Sequence, residues 1–308
     1  MRFSKYILKR LGWLILTLFI IMTITFFLMQ VMPGSPFNNP KLGPDQVAQL
    51  LHTYGLDKPL IQQYFIYLKN FFTGDFGTSF SQKNQPVAAM ILQRLPVSAE
   101  LGLQAMLIGL VIGIPMGVGS ARHRNGFLDG FLGFISTLLI SVPSFVMAMF
   151  LLFIFGYSTN LLPIIGWDGM FSATSWMPAI ALSFGVIGTV VRFVRAEMVE
   201  SLNSDYIQLA RAKGLSDNEV VYGHALRNSL IPVLTLIGPM FAGLLTGSML
   251  IENIFSIPGI GQQFVTAISA KDFPVIMATT IIYAIMLMGF ILIFDIIIAI
   301  VDPRVRLD

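Results

Sequence analysis

Six stretches of this chain, near 11–31, 99–119, 132–156, 177–194, 230–251 and 276–300, stay apolar long enough to cross a bilayer. Crossing roughly 30 Å of hydrocarbon takes about 20 helical residues. A water-soluble core cannot absorb that pattern, because 55% of the 308 residues are hydrophobic and only 11% are charged, with a mean hydropathy of +0.78. In hydrocarbon each backbone N–H and C=O must be satisfied within its own segment, so runs of this kind predict helices. The expected fold is an all-α integral membrane bundle of six helices. The first run follows a basic leader (Arg2, Lys5, Lys9, Arg10). It is longer than the roughly 7 to 15 residues of a secretory signal core and lacks a small-residue cleavage pattern, which predicts a retained helix.

Composition narrows the chemistry. The chain has no cysteine, which removes disulfides, thiolate metal sites and cysteine nucleophiles. His52, His123 and His224 are far apart and outside any HExxH spacing, so no metal site is expected within the chain. The cations are scattered between apolar runs, and no nucleic-acid partner is expected. No GxxxxGK followed by Ser or Thr occurs, so the chain lacks the usual loop for nucleotide phosphates.

Orientation follows from the short loops. With the N-terminus inside, one side carries Arg2, Lys5, Lys9 and Arg10, then Arg122 and Arg124, then Arg192, Arg195, Arg211, Lys213 and Arg227, and finally Arg304 and Arg306. The other side carries Lys41, Lys58, Lys69, Lys83 and Arg94 in one long loop, no cation at 157–175, and Lys271. The positive-inside rule then predicts both termini in the cytoplasm, with the chain in an inner, or cytoplasmic, membrane. The expected organisation is 1–31 for the N-terminal end and first span, 32–97 for a small extracytoplasmic loop domain, 98–301 for the core and 302–308 for a cytoplasmic tail. Within 32–97, Pro44 opens a helix that Gly55 closes. A second helix is expected from Pro59 to Phe72, with Leu60, Tyr64, Leu68 and Phe71 on one stripe, lying in the interface or packing on its neighbours.

The cytoplasmic segment 195–228 is the most informative. Residues from Asp205 to Lys213 read as a helix stopped by Gly214, and Ser216 with Glu219 has the spacing of a capping box for the next one. Two short helices would meet at a glycine corner carrying Arg211 and Lys213. Spacing leaves two readings open: a knuckle that another subunit pushes on, or an amphipathic pair at the membrane surface with snorkelling cations. Elsewhere, Asp295 is expected to pair with a cytoplasmic cation, and Glu252 to be a gate, a binding-protein contact or a solvated helix end. An intramembrane serine protease built on Ser248 lacks a histidine within the bilayer. An ion-coupled secondary transporter would need more buried ionisable groups near the midplane.

The same loop carries a resemblance. A-R-A-K-G-L-S from Ala210 to Ser216, followed by H-A-L-R-N-S-L-I-P from His224 to Pro232, is similar to the permease subunits of ATP-binding-cassette importers, in the branch that moves peptides and nickel and within it the oligopeptide form. Pro33, Gly34, Ser35 and Pro36 resemble that branch too, as do Y-G-L-D-K-P from Tyr54, G-D-F-G-T-S from Gly74 and Arg94, Leu95 and Pro96 before the second span. So do S-V-P-S-F from Ser141, E-N-I-F-S-I-P-G-I-G from Glu252 and Asp302, Pro303 and Arg304. The likeness implies a six-helix type I importer transmembrane domain that is not itself an enzyme. ATP and Mg would be held by two separate ATPase subunits. A homologous second permease subunit, an extracytoplasmic peptide-binding protein, peptide cargo and membrane lipid complete the implied partners. It also implies that Asp205, Tyr206, Ala210, Arg211, Ala212, Lys213, Gly214, Ser216 and Asp217 form the coupling helix that docks on the ATPase.

Overall fold

The computed structural model describes residues 2–32, 37, 43–82 and 85–301. The motif at Pro33, Gly34, Ser35 and Pro36, the cations Lys41 and Lys83, and the tail 302–308 with Asp302, Pro303, Arg304 and Arg306 lie outside the described residues. Twelve α-helices are present among the described residues: α1 (Arg2–Val31), α2 (Pro44–Thr53), α3 (Leu60–Phe72), α4 (Val87–Arg122), α5 (Phe127–Ser141), α6 (Ser144–Leu151), α7 (Trp176–Leu202), α8 (Asp205–Ala212), α9 (Leu226–Gly247), α10 (Met249–Ile254), α11 (Ile260–Ala270) and α12 (Phe273–Val301). Wide π-helical turns at Leu152–Ser158 and Glu219–Ala225 extend α6 and lead into α9.

Two boundaries differ from the expected ones. Arg94, Leu95 and Pro96 lie inside α4 instead of before it. Proline forfeits one helix hydrogen bond, but burial of Val87, Met90 and Ile91 upstream holds the helix together across it. The apolar run at 132–156 is not one rod: α5 and α6 meet at 97°. Pro143 disfavours helical geometry at the residue before it, and Val142 is accordingly extended, with φ −83° and ψ 122°.

The chain divides into two compact units, 1–97 with 259–288 and 98–258 with 289–308. In the first, α3 packs on the end of α1 through Phe26, Phe27, Tyr64 and Tyr67, and the Thr23 and Tyr64 hydroxyls are 2.7 Å apart. Asp272, buried before α12, accepts bonds from the Ser79 hydroxyl, both the backbone N–H and the hydroxyl of Ser81, and the N–H of Phe80. The turn 79–81 thereby cradles a carboxylate with four donors.

In the second unit the helix order can be read from close approaches. A Cβ at Gly113 would stand 2.9 Å from the Val190 Cβ, and one at Gly117 would stand 2.7 Å from the Val194 Cβ; Gly109 meets Val186 in the same way. Glycines four apart on α4 thus receive valines four apart on α7, and the two helices run parallel. Meanwhile Asp129 meets Arg195, and the Ser136 carbonyl meets Gly188, so α5 runs antiparallel to α7. At the far end of α7, Met177 lies against Gly156. The bent α5–α6 pair therefore returns the chain from one end of α7 to the other and counts as one passage. Together with five other segments long and apolar enough to span, the described residues offer up to six passages. Large apolar side chains such as Phe19, Ile24, Phe27 and Leu28 on α1 are exposed, as a lipid-facing surface requires.

Candidate functional site

The knuckle is built by burial on one side of a short helix. The Ser204 carbonyl accepts the N–H groups of Ile207 and Gln208 at 3.1 and 3.2 Å and opens α8. Ile207 and Ala210, three residues apart, are buried along with Val220 and Val221. Asp205, Tyr206, Gln208, Leu209, Arg211, Ala212 and Lys213 consequently face outward. Gly214 reverses the chain at φ +81°, a left-handed conformation that suits glycine, and its N–H donates to the Arg211 carbonyl at 2.9 Å. After the corner, the Ser216 N–H and hydroxyl donate to Glu219 Oε2 at 2.8 and 2.7 Å, while the Glu219 N–H points back to Ser216 Oγ at 3.4 Å.

Two ties hold this corner to the bundle. Arg122 at the end of α4 pairs with Asp217 at 2.9 Å, with Arg211 at 3.9 Å from the same carboxylate. The Tyr206 and Ser201 hydroxyls are 2.5 Å apart. Burial raises the Tyr206 phenol, but hydrogen bonds with Ser201, Asn228 and Ser204 outweigh it and hold the group below its ordinary value. The result is a rigid exposed face in which Leu209, Tyr206 and Tyr222 supply apolar contact among Arg211, Lys213 and Asp205.

Glu252 is not at a solvated helix end. It is fully buried in α10 and accepts the Ser98 hydroxyl of α4 at 2.6 Å and the Ser248 hydroxyl at 2.8 Å. Burial excludes water, so the carboxylate needs those donors. Ser98 and Arg122 stand about 36 Å apart along α4 at 1.5 Å per residue. The Glu252 cluster and the knuckle are thus at opposite ends of one membrane helix. Asp295 is half-buried on α12.

Sequence reasoning missed Asp129. Arg195 Nε and Nη2 fork onto its two oxygens at 2.5 and 2.7 Å, and the Ser120 hydroxyl and Asn125 N–H add bonds of 2.5 and 2.9 Å. The available signal was that Asp129 is the sole carboxylate between Glu100 and Asp168.

This helix bundle belongs with the inner membrane components of binding-protein-dependent transport systems. Solved structures share the fold: an inward-facing MetNI methionine ABC transporter, with a TM-score of 0.58 at 17% identity, covers 69% of this chain and 96% of its own. An amino acid ABC transporter crystallised with histidines gives 0.54 at 15% identity, covering 68% and 92%. The family model described as "Binding-protein-dependent transport system inner membrane component" matches residues 109–307, and "Binding-prot-dependent transport system membrane comp, N-term" matches 3–102. Among curated proteins, the dipeptide transport system permease protein DppB of Lactococcus lactis is 69% identical over 98% of this chain and 99% of its own. DppB of Bacillus subtilis is 41% identical over 99% and 98%, and the oligopeptide transport system permease protein OppB of Haemophilus influenzae is 40% identical over 98% and 99%. The chain belongs to the binding-protein-dependent transport system inner membrane components, which are transport subunits of ABC importers.

Proposed function

We propose that this chain is the permease subunit of an importer that carries short peptides, dipeptides first among them, inward at the expense of ATP hydrolysed by separate subunits. The observation that carries the proposal is the exposed face of 205–217: it is stiffened from beneath by Ile207, Ala210 and Val220 and pinned through Asp217 to the end of α4. A lever that passes force from a soluble engine to a helix bundle needs that combination of exposure and rigidity. The resemblance of 210–232 to importer permeases supports the same role. Identity of 69% to a dipeptide permease, against 40% to an oligopeptide one, supports dipeptides over the oligopeptides expected from sequence.

In this reading ATP and Mg bind two ATPase subunits on the cytoplasmic side, where both termini of this chain also lie. Their closure draws this knuckle and that of a homologous second permease subunit together, and the bundles alternate between inward-open and outward-open states. ATP shifts that equilibrium only by its different affinity for the two states. An extracytoplasmic binding protein delivers the cargo, and Glu252, at the end away from the knuckle, serves as part of the outer closure. In a strain deleted for this chain and dependent on a supplied amino acid, growth on dipeptides is lost and growth on the free amino acid is kept. Undiminished dipeptide growth sinks the cargo reading. Failure of a Leu209→Cys variant to cross-link to any ATPase subunit in active membranes sinks the coupling role.

A further inference from the structure

Two departures from ordinary chain chemistry meet at one hydrogen bond. The segment joining the bent helix pair to α7 turns at Phe171, whose φ is +63°. A bulky residue in that left-handed region costs about 1 to 2 kcal/mol. Its ring is half exposed beside Trp176, with centroids 6.0 Å apart. The Phe171 N–H donates to Gln104 Oε1 at 3.3 Å. Gln104 sits on α4 with no exposed surface, and its Nε2 has no hydrogen-bond partner among the described residues. A buried donor left unpaired is itself destabilising.

Around this bond the segment is tied at its base and jointed at its tip. Gly166 donates its N–H to the Phe255 carbonyl, just after α10, at 2.9 Å, and the Asp168 N–H donates to Thr174 Oγ1 at 3.0 Å. Gly166 and Gly169 adopt φ +107° and +101°, which leaves the tip two residues able to swing without steric penalty. Gln104 lies about 9 Å along α4 from Ser98, the Glu252 partner, and about 27 Å from Arg122, the knuckle partner. The strained tip is therefore at the end of α4 far from the knuckle.

We propose that loop 166–174 is a gate seen here closed, and that when Phe171 lifts away the side-chain amide of Gln104 takes a peptide unit of the cargo. A buried, unfilled N–H donor beside an acceptor that becomes free on opening presents one donor and one acceptor, the complement of a backbone amide. Strain in the closed state narrows its gap to the open one, so a modest bias switches it. The cargo half of this proposal rests on the peptide-import reading; the gate half does not.

The chain has no cysteine, so Gln104→Cys gives it one thiol, whose labelling is read on this subunit after separation from its partners. In proteoliposomes holding the assembled transporter, a membrane-impermeant maleimide should label Cys slowly at rest, on the order of 10-fold faster during ATP turnover, and more slowly again with saturating dipeptide. An unchanged rate during ATP turnover overturns the gate whatever the cargo is. Acceleration that dipeptide does not reverse, in a preparation that still imports dipeptide, overturns the contact with cargo. If the parent transporter imports no dipeptide, the cargo reading fails while the ATP arm still judges the gate. Phe171→Gly, which tolerates the backbone without strain, should lower uptake while keeping or raising the thermal midpoint; unchanged uptake would make the strain merely structural and overturn the gate.

Discussion

Arg195 grips Asp129 through two parallel bonds, from Nε at 2.5 Å and from Nη2 at 2.7 Å, and thereby fixes α5 against α7 in antiparallel register. The same register brings the Ser136 carbonyl to Gly188, where an added Cβ would stand 2.6 Å away. One ion pair and one glycine contact, seven residues along, set the position of the helix that then breaks at Val142.

Removing either partner of that pair should destabilise the fold. Asp129 is buried and its partner about one third exposed, so the loss for Asp129→Asn or Arg195→Gln should be about 2 to 3 kcal/mol, below the figure for a wholly buried pair. Thermal unfolding in detergent would register it as a lowered midpoint. The double variant should lose clearly less than the sum of the two single ones, because the coupling between neighbours is counted twice in that sum. Strict additivity would show that the pair does not act as a unit.

Glycines of the same chain should respond in opposite directions. Gly117→Ala puts a methyl group 2.7 Å from the Val194 Cβ and 3.0 Å from the Val191 carbonyl, and separating α4 from α7 should cost about 1 to 3 kcal/mol. Gly133→Ala on α5 meets nothing within 4 Å and should stabilise by about 0.5 to 1 kcal/mol, since alanine loses less backbone entropy in a helix. Equal midpoints for the two variants would contradict the packing described here.

Gly214→Pro should separate motor from channel. Proline holds φ near −65°, far from the +81° that the corner requires, and it also removes the N–H that bonds the Arg211 carbonyl. The variant should insert into the membrane at normal abundance, retain ATPase activity in the assembled transporter and lose ATP-driven uptake. Gly214→Ala should lie between the two, since alanine reaches the left-handed region at a cost of about 1 to 2 kcal/mol. Normal uptake by the proline variant would remove the corner from the transmission path.

Much of this architecture is legible without coordinates because it is local. Hydrocarbon forces each apolar run to satisfy its own hydrogen bonds, so the spans could be placed from hydropathy. The stop at Gly214 and the box of Ser216 and Glu219 are likewise set by residues within five positions of one another. The cues failed where a distant partner decided the outcome. Pro96 reads as a boundary, yet buried residues on its N-terminal side carry α4 through it. For Glu252 a wet helix end stands beside a gate and a binding-protein contact, and only Ser98, 154 positions away, removes the first of these.

The sequence by itself therefore determined that this is a membrane bundle, where its spans lie and which loop forms the corner, since each of these follows from periodicity, length and short-range hydrogen bonding. Tertiary structure alone decided that residues 259–288 group with 1–97, that Asp129 answers Arg195, that Asp272 is cradled by the turn 79–81 and that Gln104 holds Phe171. These pairings join residues 66 to 193 positions apart. Whether such residues meet depends on helix order and register, which no local pattern encodes.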